Sequence, residues 1–182
     1  FRIDVLILSN FRSSTEVGLY GLAYQFFESA IAIPIFFSNA IYNPLANFYK
    51  ESRRRFQKEV KNWLFILSGV SVLLTIAMFS VSFFIPAIFG SSFEGSVPAL
   101  QILSLGFPFF FISALLWHLL IIYDKQKYLT VIYAAGAIIN IVANLIFIPS
   151  YGYIAASVIT VVSEALITLL LILALKIGNW KL

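Results

Sequence analysis

An all-helical membrane fold is predicted by three observations. Of the 182 residues, 61% are hydrophobic and only 11% charged, whereas soluble domains carry about 25% charged residues. The apolar residues gather in runs of about 20 or more, the length that crosses a hydrocarbon core about 30 Å thick. Period-two alternation is sustained nowhere, which argues against a β-barrel. Five or six spans with short connections use up the chain, so one six-helix transmembrane lobe is expected over residues 1–182, with no separate soluble domain.

The elements follow in order. Residues 1–11 would reach only about 16 Å as a helix, too short to cross, and are read as the tail of a truncated span. The polar break Ser13-Ser14-Thr15-Glu16 resembles a helix start and leads into a second span over 17–49, interrupted by Pro34 and Pro44. Thirty-odd residues exceed one perpendicular crossing, so this helix must tilt, kink or project. Pro34 removes a backbone hydrogen bond, which is tolerated where a neighbour or water satisfies the freed carbonyl. Spans over 63–89, 97–123, 128–148 and 153–175 complete the set, separated by 90–96, by Asp124-Lys125-Gln126-Lys127 and by Pro149-Ser150-Tyr151-Gly152. Tyrosines and tryptophans near their ends are expected as interfacial anchors.

The charges orient the bundle. The net charge is +4, and six of the twelve lysines and arginines lie in one segment: Lys50, Arg53, Arg54, Arg55, Lys58 and Lys61. Lys125 and Lys127 sit in the 124–127 turn and Lys176 and Lys181 in the tail, while 90–96 and 149–152 have none and 12–16 has only Arg12. Cytoplasmic segments carry the excess of lysine and arginine, so the basic loop, the 124–127 turn and the C-terminus are expected in the cytoplasm, with the chain in the inner (cytoplasmic) membrane. The triple arginine has two readings, a topology anchor or a site for anionic headgroups or a diphosphate.

Charge at mid-bilayer costs at least about 2.5–3.5 kcal/mol on insertion scales, so each such residue needs a reason. Asp4, Glu28 and Glu164 are the exceptions. Glu28 lies about 18 Å along its helix from Glu16, and Glu164 about 16 Å from Tyr153, both near the midplane. Ser157, Thr160, Glu164 and Thr168 form one polar stripe; Gly136, Asn140 and Asn144 form another; Asn39, Asn43 and Asn47 form a third, roughly continued by Glu28 and Ala32. These edges either join helices through hydrogen bonds or line a hydrated cavity. His118, near the end of its span beside Trp117, reads as an interfacial residue.

Catalysis lacks its usual constellations. Cysteine is absent and histidine occurs once, so thiolate chemistry and a multi-histidine metal centre are excluded. Asp4 and Asp124 are the only aspartates, too few for a clustered magnesium site. No H-E-x-x-H, P-loop, G-x-G-x-x-G or G-x-S-x-G occurs. No enzyme activity, cofactor or metal is expected, and nothing forms a basic face for nucleic acid.

Two stretches carry a family resemblance: RIDVLILSNFRSSTEVGLYGLAYQFFE from Arg2 to Glu28, and NLIFIPSYGYIAASVITVVSE from Asn144 to Glu164. Together they resemble the second half of the Wzx-type lipid-linked oligosaccharide flippases, in the polysaccharide branch of the multidrug/oligosaccharidyl-lipid/polysaccharide exporter superfamily. In that resemblance Asp4 matches the aspartate of the seventh helix. Glu16, Val17, Gly18, Tyr20, Ala23 and Tyr24 match the start of the eighth, and Asn144, Ile148, Pro149, Tyr151 and Gly152 match a hinge. Ala155-Ala156-Ser157 stands where the family commonly has Gly-Ala-Ala.

The resemblance implies the C-terminal half of a transporter of 12 or more spans, with a partner lobe upstream in the same chain. It implies flipping of a polyprenyl diphosphate-linked oligosaccharide for cell-surface polysaccharide assembly, as for lipopolysaccharide O-antigen. The candidate cavity residues are Arg2, Asp4, Glu28, Asn39, Asn43, Asn140, Asn144 and Glu164, with Arg2 as the cavity cation. Two further readings stand beside it: a multidrug exporter of the same superfamily coupled to a proton or sodium gradient through Glu28 or Glu164, and a non-transporting scaffold for envelope-polymer assembly.

Overall fold

In a bilayer a backbone amide has no water to bond, and a helix satisfies it within its own segment. The computed structural model describes residues 3–177, and all regular structure among them is helical: α1 (Ile3–Phe11), α2 (Ser14–Glu51), α3 (Arg53–Ser82), α4 (Ile85–Phe89), one 3₁₀ turn (Ser91–Phe93), α5 (Ser96–Ser104), α6 (Phe107–Ile122) and α7 (Gln126–Ile177). Three of these, α2, α3 and α7, are long and apolar enough to cross a membrane; α5 and α6, bent by 42° at their junction, make a fourth if they act as one span.

Ser13 starts α2, its hydroxyl accepting the Glu16 N–H at 3.3 Å. The helix then continues through Pro34 and Pro44. Its end corrects the expected basic loop. Lys50 and Glu51 close α2, Ser52 alone is non-helical, and Arg53, Arg54, Arg55, Lys58 and Lys61 form the first turns of α3. Two causes suffice: the Ser52 hydroxyl accepts the Arg55 N–H, and arginine, lysine, glutamine and glutamate are good helix formers.

The stretch expected as one helix over 97–123 is broken at Leu105–Gly106. Pro108 has no N–H to offer Ser104, whose carbonyl is the i−4 acceptor. The Thr75 hydroxyl of α3 reaches that carbonyl at 3.1 Å, sharing its one proton with the Ser71 carbonyl at 2.9 Å. A second break, at Phe83–Phe84, separates α4 from α3 within the stretch expected as a helix over 63–89.

Helix α7 is two antiparallel arms. Gly152 departs from helical geometry (φ 60°, ψ −146°), and residues equidistant from the turn touch. Asn140 Nδ2 donates to Ser163 Oγ at 3.0 Å, and a Cβ on Gly136 would stand 2.7 Å from Ile167. Residues 23 apart would lie about 35 Å from each other on a straight helix. Each arm is roughly 37 Å long at 1.5 Å per residue, so the hairpin supplies two crossings.

The turns sort by charge. Tyr49, Phe56 and Tyr123 pack ring against ring at 5.2–5.9 Å, bringing the α2–α3 junction beside the end of α6, while the hairpin pairing brings Lys176 to the level of Lys127. At the other end Arg12 donates to the Pro149 carbonyl at 3.3 Å, and Gly95 packs against Leu19 and Tyr153. Lys50, the five α3 cations, Lys125, Lys127 and Lys176 therefore share one end, and Arg12 lies at the other with Glu16 and Glu94.

Between the ends, Phe27 stacks on Phe107 and meets Phe110 edge-on, each at 5.3 Å, with Leu8, Tyr20, Leu100, Leu103 and Leu115 fully buried around them. Lipid is as apolar as these side chains, so close packing and interhelical hydrogen bonds hold such a bundle more than exclusion from water does. Large apolar residues such as Phe65 and Leu73 cover its outside.

Candidate functional site

The few polar groups inside the bundle are brought together by α1, α2, α6 and both arms of α7. Asp4, in the first turn of α1, is only 5% exposed. Its Oδ2 accepts the Tyr20 hydroxyl of α2 and its Oδ1 the Val5 N–H at 2.9 Å. Glu164, on the second arm of α7, is 7% exposed, and the Ser113 hydroxyl of α6 donates to its Oε1. One helical turn along, Thr168 Oγ1 donates to the Phe109 carbonyl at 3.2 Å. The two contacts run in opposite order along the helices, so α6 and the second arm are antiparallel. Each buried carboxylate thus has a hydroxyl donor from another helix, the arrangement that makes a buried anion tolerable.

Two adjoining cavities open off these groups. The larger, about 490 Å³, is lined by Asp4, Tyr24, Asn140, Thr160, Ser163 and Glu164 among others. The smaller, about 330 Å³, is lined by Pro34, Asn39, Ser113, Trp117, His118 and Glu164 among others. Phe110, Tyr133 and Glu164 line both, and among the described residues no lysine or arginine lines either. Glu164 stands at the junction, with Trp117 and Tyr133 edge to face at 4.9 Å beside it.

The predicted site residues divide accordingly. Asp4, Asn140 and Glu164 share the larger cavity, and Asn39 lines the smaller one, 3.0 Å from Nε2 of His118. His118 donates through Nδ1 to the Ala114 carbonyl at 2.8 Å, so it faces the cavity and not only the interface. Asn144 is buried and donates to the backbone and side-chain oxygens of Asn140, both at 2.9 Å, while its own Oδ1 has no partner among the described residues. Glu28 and Asn43 lie outside the cavities on exposed parts of α2. Arg2 lies outside the described residues. Arg53, Arg54, Arg55, Lys58 and Lys61 are exposed at the far end of the bundle.

Sequence reasoning passed over Ser113, Tyr133 and Ser163. Ser113 carried a usable signal, a lone hydroxyl in the apolar run Phe107–Leu120. Tyr133 carried none, because tyrosine is ordinary near helix ends. Among the described residues no group of three or more histidines, aspartates or glutamates could hold a metal ion.

The hairpin turn rests on a second polar assembly. Arg12 Nη2 pairs with Glu16 Oε1 at 2.8 Å, and this hydrogen-bonded partner raises the Arg12 pKa above its ordinary value. The pair sits directly on Gly152, where a Cβ would stand 2.2 Å from Glu16 Oε2.

Residues 1–146 match the model of the MatE family, well over half of the chain. The match includes Asp4 and Asn140 and stops in the first arm of α7, before Glu164. No curated protein and no solved structure matches significantly.

Proposed function

The chain belongs to the MatE family, transporters of the multidrug/oligosaccharidyl-lipid/polysaccharide exporter superfamily, and from that premise we propose that it couples a proton or sodium gradient to the flipping of a polyprenyl diphosphate-linked oligosaccharide. As a MatE-family chain rich in apolar helices it is part of a multi-pass membrane transporter, and the members of this family are not enzymes. Family membership favours transport over the scaffold reading.

The observation that carries the proposal is the convergence of Asp4, Asn140, Thr160, Ser163 and Glu164, from three helical segments, on one cavity. Carboxylate, amide and hydroxyl oxygens suit a proton or a hard cation. Because α1 and both arms of α7 contribute, occupancy of the cavity can bias how those helices pack, and a ligand shifts a conformational equilibrium only through such differential contacts.

The substrate rests on the flippase-like motifs and on a separate surface. Gln25, Glu28, Ser29, Asn39, Asn43 and Asn47 run along one exposed edge of α2, which would be costly against lipid. Gly18 and Gly21 extend the same edge, with nothing within 4 Å of where a Cβ would be. That edge suits the wall of a hydrated cavity completed by an upstream lobe of the same protein, in which sugars and diphosphate would exchange water for polar side chains. The basic end then faces the cytoplasm of the cell and the Arg12 end the outside.

The test uses the full-length protein in proteoliposomes with a labelled polyprenyl diphosphate glycan and an imposed proton or sodium gradient. Gradient-dependent translocation is expected, and Glu164→Gln should lower it by roughly 5- to 150-fold, the usual span of coupling between sites. A second reading, export of cationic amphipaths, is favoured by the aromatic pair Trp117 and Tyr133 beside Glu164. Movement of a cationic dye without glycan translocation would decide for that reading.

A further inference from the structure

We propose that Arg54, Lys58 and Lys61 on α3 form a binding site for the phosphate headgroup of an anionic phospholipid, whose acyl chains lie along the apolar continuation of the same stripe. The three cations sit at i, i+4 and i+7, one above another on a single helix face. They span about 10 Å along the axis and line a hollow of about 610 Å³ with Ser52, Arg55 and Gln57. Phe56 and Val60, on the opposite face, are fully buried and fix the direction in which the stripe points.

Two further observations favour a lipid over a soluble anion. Below Lys61 the stripe continues through Phe65, 82% exposed, Val72 and Ile76, all open to the surroundings of the bundle. A headgroup held by the cations therefore leaves its tails against apolar side chains of the same helix. The three cations line neither of the carboxylate cavities, so the site is separate from those groups.

Neighbouring charges leave the three cations available. Glu51 is exposed and Glu59 half-buried, but among the described residues none of Arg54, Lys58 and Lys61 is in an ion pair. Arg55 is engaged elsewhere, its guanidinium 4.1 Å from the centre of the Phe48 ring. The N-terminus of α3, at Arg53, adds the positive end of its dipole to the same site.

The test is lipid binding by the full-length protein in detergent, titrated with phosphatidylglycerol or phosphatidylcholine and read by native mass spectrometry. Phosphatidylglycerol should bind in preference. Each single substitution, Arg54→Gln or Lys58→Gln, should weaken it about fivefold, as for one basic residue near an anionic surface. The triple variant R54Q/K58Q/K61Q should lose the preference, and K125Q/K127Q, at the same end of the bundle, should keep it. If the triple variant does not fold, the single variants decide. The proposal fails if the preference survives in the variants or falls equally in K125Q/K127Q. It also fails if excess inorganic phosphate binds the lipid-free protein and displaces phosphatidylglycerol, which would mean a free-anion site.

Discussion

Gly152 carries the hairpin because no other residue suits its position. Its backbone lies where side chains are essentially not tolerated (φ 60°, ψ −146°), and the Arg12–Glu16 pair fills the space a Cβ would need. Gly152→Ala should cost about 1–3 kcal/mol for the backbone alone, seen as a lower thermal midpoint in detergent. Combining it with Glu16→Ala should recover the steric part of the loss. An unchanged midpoint in the single variant would remove the turn's dependence on glycine. The same scale explains Asp4 and Glu164. Each was visible in the sequence as a costly charge, but Tyr20 and Ser113, which make those charges tolerable, come from other helices and could not be paired with them by spacing.

The break between α5 and α6 falls where Pro108 leaves a carbonyl without its donor, whereas α2 continues through Pro34 and Pro44. At the α5–α6 junction the Thr75 hydroxyl, shared with the Ser71 carbonyl, reaches the Ser104 carbonyl that Pro108 cannot serve. Thr75→Val should destabilise the fold by about 1–3 kcal/mol, the cost of an unsatisfied buried acceptor. Pro108→Ala restores the missing N–H, so in that background Thr75→Val should cost much less. Equal losses in both backgrounds of this double-mutant cycle would mean that Thr75 acts by packing and not through Ser104. At the start of α3 the expectation of a basic loop gave way to a helix for a comparably local reason. A single serine caps the helix, and the charges that mark the segment as non-membrane are also good helix formers. Hydropathy separates membrane from water and does not separate helix from loop once the chain leaves the apolar layer.

At the scale of the whole molecule, two opposed ends of different charge predict the orientation. The chain has no cysteine, so Ser91→Cys and Ser150→Cys at the Arg12 end, and Gln126→Cys at the basic end, can be labelled one at a time in intact cells. An impermeant maleimide should modify the first two and not the third; the reverse pattern would invert the topology. The sequence by itself determined the helical class, the apolar segments and the sites of costly charge, because hydropathy and charge are local and a bilayer penalises exceptions residue by residue. Only the tertiary structure decided which exceptions belong together. It drew Asp4, Asn140 and Glu164 into one cavity, left Glu28 and Asn43 on an open edge, and turned the α3 cations outward above apolar side chains. Those outcomes depend on how antiparallel helices fit face to face, and periodicity along a single helix does not specify its neighbour.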